Sequence, residues 1–183
     1  QIAIIKVSRF GEKTDSEWDS VVAEVISKKV SGVIVDVRNN PGGLLNSAIH
    51  LASEFINGTV VKQETSDGSI SSIGADRQGK VLKMPLVVII NGGSASASEI
   101  LAGAIKDNKR GKVVGEKSFG KGTVQDVVPF AGGSSLHVTI AKWLTPKGSS
   151  IHGEGIMPDI LVEVKTEDDK ERDLQLEKAL EII

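Results

Sequence analysis

Apolar residues fall along the chain in two alternating kinds of segment. The nearly unbroken runs Ile2 to Val7, Val33 to Val37 and Leu86 to Ile90 have the length and β-branched content of buried strands. Between them the pattern changes to helical spacing. Trp18, Val21, Val22, Val25 and Ile26 recur at i, i+3, i+4, i+7 and i+8, one face of an amphipathic helix. Thr14 stands before that face as a cap, with Glu17 placed to reach back. A second helix is expected from Leu44 to Ile56, with Leu45, Ala48, Ala52, Phe55 and Ile56 buried and Asn57-Gly58 as its stop. A third runs from about Ala95 to Lys106, with Lys109 and Arg110 suited to its C-terminal end and Gly111 ending it. The last runs from Asp169 to Ile183.

The remaining strands are weaker. Thr59 to Thr65, Lys112 to Val114, Thr123 to Val128, Ser135 to Trp143 and Ile160 to Val164 read as extended, the third and fourth around an Ala131-Gly132-Gly133 turn. Ser66 to Lys80 is polar, with only Ile70 and Ile73 as anchors, and reads as a hairpin or surface excursion; Thr145 to Pro158 reads as a loop. Repeated strand-then-helix order predicts an α/β domain with a mostly parallel sheet and flanking helices. At 183 residues the chain suits one domain over residues 1–183.

Composition narrows the chemistry. A net charge of −2 gives no indication of a nucleic-acid or anionic-membrane partner. The absence of cysteine excludes disulfides, thiolate catalysis and thiolate metal sites. The histidines are His50, expected mid-helix, His137, expected in a strand, and His152, expected in a loop. None stands in a triad motif, and without H-E-x-x-H a catalytic zinc site has no support.

The stretch Asn91 to Gln125 carries the remaining chemistry. Ser94, Ser96 and Ser98 sit where a buried strand turns into a helix. By spacing alone Ser96-Ala97-Ser98-Glu99 is a capping box, and caps are far commoner than nucleophiles. A serine on such a turn also projects its hydroxyl, with the following N–H, that of Ala97, aimed where an oxyanion forms. The residues alone do not choose among the three serines. Gly115 to Lys121 matches a P-loop up to the lysine, but Gly122 replaces the magnesium-binding Ser or Thr, and a strand-like stretch follows where a helix is required. That excludes a nucleotide site. Lys121 between two glycines is an unusual surface lysine. To serve as a base it must be held neutral, which calls for burial, and Phe119 is placed to help exclude water.

Three motifs together resemble the C-terminal processing peptidases, or tail-specific proteases: Asp36-Val37-Arg38-Asn39-Asn40-Pro41-Gly42-Gly43, Ser96-Ala97-Ser98-Glu99, and Phe119-Gly120-Lys121-Gly122-Thr123-Val124-Gln125. The likeness extends through Ile151 to Asp159 and the final helix. It implies an α/β core of crotonase and Clp-protease character that cleaves proteins near their C-termini through an acyl-enzyme, with no cofactor or metal. It implies Ser96 as nucleophile, Lys121 as base, Gln125 as its orienter, and the Gly42 and Ala97 N–H groups as the oxyanion hole. Asp107 also matches a family position, taken as support for a helix end. Such enzymes usually act in the periplasm, cell envelope or thylakoid lumen. They place a PDZ domain upstream of the segment resembling Ile2 to Phe10, and no second compact domain fits in this chain. Protein C-termini, the PDZ domain of the full-length protein and a further copy of the chain are the implied partners. Two other readings stand beside this one: a non-catalytic peptide-binding module on the same scaffold, and a crotonase-like acyl-thioester enzyme, for which no coenzyme A pocket is legible.

Overall fold

A computed structural model describes residues 1–164 and 172–183. The expected class is the observed one, a mixed α/β fold with a parallel sheet. That sheet has five strands in the order β1-β2-β5-β6-β9, formed by Ile2–Lys6, Gly32–Asp36, Leu86–Ile90, Lys112–Gly115 and Ile160–Leu161. Every described pairing within it is parallel. Between its strands lie α1 (Thr14–Ser27), α2 (Leu45–Ser53) and α3 (Ala97–Asp107), and α4 (Leu174–Ile182) follows β9.

The central strands are buried along their whole length because helices cover both faces. With side chains alternating along a strand, Val33, Val35, Val88, Ile90 and Val113 enter the main core with Trp18, Leu51, Phe55 and Leu101. Ile34, Val87, Ile89 and Val114 point the other way, onto Ala179, Leu176 and Ile183 of the α4 region. The helical face anchored by Trp18 is therefore packing surface, its ring edge-on to Phe55 at 5.8 Å.

A second sheet was not legible as such. β4 (Ile70–Gly74), β3 (Thr59–Thr65), β8 (Ser135–Leu144) and β7 (Thr123–Pro129) form an antiparallel sheet in the order β4-β3-β8-β7. Val60, Val61 and Trp143 join it to the main core. The excursion between Ser66 and Lys80 contains β4, paired antiparallel with β3.

Several boundaries differ from expectation. Thr14 does not cap α1: it is the first helical residue, after Lys13 in a helical conformation. Its hydroxyl instead accepts from the Gly11 N–H at 2.8 Å and donates to the Arg9 carbonyl, fixing the preceding turn. α2 stops at Ser53 rather than Ile56, where the Glu54 carboxylate is drawn to the Lys80 N–H and to Arg77. Arg110 reaches past its own helix, donating to the carbonyls of Phe55, Val81 and Met84, with burial pulling its guanidinium below its ordinary range. The first residues of the expected final helix, from Asp169, lie outside the described region; α4 begins after Asp173, whose side chain accepts the Leu176 N–H.

Candidate active site

The site is built where β2 and β5 end side by side. These neighbours are in register from Val33–Leu86 to Asp36–Ile89, so the turns that follow them emerge together at the carboxyl edge of the sheet. Side chains then lock the turns to each other. The Asn39 N–H donates to Asn91 Oδ1 at 2.9 Å, and Asn91 Nδ2 returns a bond to Asn39 Oδ1 at 3.0 Å. Ser94 Oγ donates to the Val37 carbonyl, Ser98 Oγ to the Asn40 carbonyl, and the Ala95 N–H to that same Asn40 carbonyl.

This network separates the three serines, which sequence spacing alone does not. Ser94 and Ser98 are fully buried with their hydroxyls bonded to backbone carbonyls. Ser96 is only half-buried, and its backbone stands at φ 54°, ψ −113°. Lys29, Asn39 and Lys109 also have positive φ, but Ser96 occupies the junction between the β5 turn and α3. A side-chain-bearing residue held there costs on the order of 1–3 kcal/mol, retained only when its surroundings impose it.

Gly42 lies directly against this turn. Its φ is 97°, and a Cβ added there would sit 2.7 Å from the Ser96 Cβ and 2.9 Å from the Ala97 nitrogen. The expected oxyanion pair, Gly42 and Ala97, is thus brought together beside Ser96. The Gly42 N–H, however, donates to Asn40 Oδ1 at 2.9 Å. Asn40 is itself buried and anchored through Nδ2 to the Val7 carbonyl at 2.8 Å. The Ala97 N–H, at the first position of α3, has no acceptor among the described residues.

Lys121 arrives on the loop between β6 and β7. The Phe119 N–H donates to the Ser94 carbonyl at 3.0 Å, tying the loop to the β5 turn. Glu99, in the first turn of α3, completes the attachment. Its Oε2 accepts from the Ser96 N–H at 2.7 Å and from the Lys121 N–H at 2.9 Å, while Oε1 accepts from Ser118 Oγ and the Gly120 N–H, both at 2.6 Å. The capping-box spacing predicts the first of these bonds; the other three come from sequence far downstream. On its far side the loop rests on residues 151–155: the Gly153 N–H donates to the Gly120 carbonyl, and a Cβ on Gly122 would lie 2.2 Å from the His152 nitrogen.

The expected burial of Lys121 is not found. Its side chain is exposed, and Phe119 is 68% exposed rather than shielding it. The reason is geometric: backbone bonds pin the Lys121 loop on its inner side, and no described element lies over its outer side. Gln125 is exposed on β7, paired with Thr139 just past a bulge. Among the described residues no hydrogen bond joins the Lys121 ammonium to Ser96 or Gln125. Of the three histidines weighed for a rival triad, His50 is held in α2 by Asp19 at 3.0 Å, and among the described residues no group of three or more His, Asp or Glu side chains is placed to hold a metal ion. Asp107 takes a structural place, accepting the Lys147 N–H at 2.8 Å.

The family model of peptidase family S41 matches residues 1–162. A probable CtpA-like serine protease of Staphylococcus haemolyticus is 42% identical over 161 residues, covering 86% of this chain and 32% of that protein. A carboxy-terminal-processing protease of Bartonella bacilliformis is 40% identical over 177 residues, covering 88% and 39%. The solved photosystem II D1 C-terminal processing protease superposes with a TM-score of 0.80 at 37% identity, covering 89% of this chain and 42% of that one. The chain thus spans about a third of the length of the curated relatives it matches.

Proposed function

Because the chain belongs to peptidase family S41, we propose that it is the catalytic core of a serine endopeptidase that cleaves protein substrates near their C-termini. The observation that carries this reading is Ser96, half-exposed and backbone-strained between two buried, fully bonded serines, with Gly42 and the Ala97 N–H packed around it. Ser96 Oγ attacks the scissile carbonyl. The Lys121 amine takes its proton and returns it to the leaving amine, and water then releases the acyl group by the same route in reverse. The Ala97 N–H meets the oxyanion, joined by Gly42 when its N–H is shared with, or released by, Asn40. Gln125 orients the lysine once that amine turns inward. A bound peptide lying over the Lys121 loop supplies the dry setting that the amine needs, since catalytic hydrogen bonds commonly tighten only when substrate is in place. By the same resemblance the setting is extracytoplasmic, and a PDZ domain of the full-length protein captures the substrate.

The exposure of Lys121 favours one second reading, a peptide-binding scaffold without catalysis. Labelling with a fluorophosphonate probe across pH, in this chain and in Ser96→Ala and Lys121→Ala, separates the two. The endopeptidase reading expects labelling at Ser96 that rises with pH and is lost in both variants. Labelling that survives Ser96→Ala removes the nucleophile assignment, and a folded chain that never labels, alone or with a peptide bound, supports the scaffold.

A further inference from the structure

We propose that Glu99 is a positioning residue of this site: its buried carboxylate holds the nucleophile turn and the lysine loop in one register, and the action of Lys121 on Ser96 depends on it. The inference rests on the reading of Ser96 as nucleophile and Lys121 as base. A helix cap explains only one of the bonds Glu99 makes. Caps are ordinarily solvated, whereas Glu99 is fully buried, and an isolated carboxylate is costly to bury. Here no cation pairs with it among the described residues. Four neutral donors surround it instead, two on each oxygen, which fills the accepting capacity of a carboxylate.

The identity of those donors gives the arrangement its meaning. The Ser96 N–H is an orphan of the α3 terminus, and the Gly120 and Lys121 N–H groups precede the first residue of β7. None is committed to a sheet or helix ladder, so Glu99 is what orders them. A single atom, Oε2, bridges the backbone of Ser96 to that of Lys121. The bridge extends one step further: Ser118 Oγ donates to Glu99 and accepts from the Ile156 N–H, both at 2.6 Å. The loop that supports Lys121 from behind is thereby fastened to the same carboxylate. Movement of Glu99 therefore changes where the amine stands relative to the hydroxyl.

The test is a double-substitution cycle read with the fluorophosphonate probe. The unaltered chain, Lys121→Ala, Glu99→Gln and the double variant are labelled across pH, with thermal melts to confirm folding. The amide of Glu99→Gln keeps the shape but turns an NH2 group toward two donors. Labelling of Ser96 is expected to slow about a hundredfold. Adding Lys121→Ala to that background should cost little more, and the rise in rate with pH should flatten. A carboxylate that only staples the fold would lower the melting temperature and leave both the Lys121 dependence and the pH profile intact; that result overturns the proposal. If Glu99→Gln does not fold, amide exchange in the unaltered chain decides. The Ser96 and Lys121 N–H groups are then expected to be protected together, and rapid exchange at either removes the bridge. Failure of the underlying reading shows separately, as labelling of the unaltered chain that is absent or insensitive to Ser96→Ala or Lys121→Ala.

Discussion

Gly42 shows how little room the candidate site leaves at the level of one residue. With φ at 97° and neighbours under 3 Å from any added Cβ, even alanine meets both backbone strain and the Ser96 side chain. Gly42→Ala is expected to cost about 1–3 kcal/mol of stability from the backbone conformation alone. Because the displaced neighbours are Ser96 and Ala97, Ser96 reactivity should fall about a hundredfold, beyond any effect on folding. Melting curves alongside probe-labelling rates check this, and a variant of lowered stability with unaltered labelling would detach Gly42 from the chemistry. This is also the scale at which the sequence was most and least informative. Spacing and family motifs singled out Ser96, Lys121, Gln125, Gly42 and Ala97, and the fold gathers Ser96, Gly42, Ala97 and the Lys121 backbone at one edge of the sheet. The three bonds that Glu99 accepts from Ser118, Gly120 and Lys121 were not legible, because a capping box reports only contacts within one helical turn. The engagement of the Gly42 N–H by Asn40 is an Asx turn, whose spacing the sequence carries but which the motif reading of Gly42 as an oxyanion donor did not use.

Among the described elements, α4 is held partly by charge. Arg38 donates to Asp36 and to Asp173, and Asp173 is also the N-cap of α4. The Arg38 hydrogen bonds hold the Asp173 carboxyl below its ordinary range, with partial desolvation opposing them. A carboxyl depressed in the folded state contributes stability above its unfolded value, about 3.9, and loses it as pH falls through the folded value. Since Asp173 is 41% exposed, the contribution is about 1 kcal/mol or less. Below about pH 4, α4 should therefore lose amide protection while β2 and β5 keep theirs. Asp173→Asn should lower α4 protection at neutral pH and remove its acid dependence. Simultaneous loss in α4 and the sheet, unchanged by the substitution, would show that apolar packing alone retains the helix. Elements with one strong period were legible: the doubly buried strands and the face of α1. In the antiparallel sheet β3, β7 and β8 were legible only as separate strands and β4 only as part of a hairpin or surface excursion, since the order β4-β3-β8-β7 is set by long-range pairing rather than by any local pattern.

For the molecule as a whole, the question is whether two sheets mean two folding units. Packing argues for one. Trp143 of β8 and Val60 and Val61 of β3 lie in the same apolar cluster as Trp18, Phe55 and Leu101, so the smaller sheet has no separate described core. Its strand β3 packs against α2 and α3, and α3 also packs against β5 and β6 of the parallel sheet. Losing either sheet would expose the helix they share, and that mutual dependence is what makes unfolding cooperative. The chain has two tryptophans on different elements: Trp18 on α1, edge-on to Phe55, and Trp143 on β8 of the antiparallel sheet. Trp18→Phe and Trp143→Phe each leave a single fluorophore. Each variant moves stability by its own amount, so every emission trace is compared with circular dichroism on the same variant. In both, the fluorescence and circular dichroism midpoints in urea are expected to coincide. A Trp143 trace that runs ahead of its own circular dichroism would mark the antiparallel sheet as a separate unit. It would also mean that the Lys121 loop, which leads into that sheet, can part from the nucleophile turn without global unfolding.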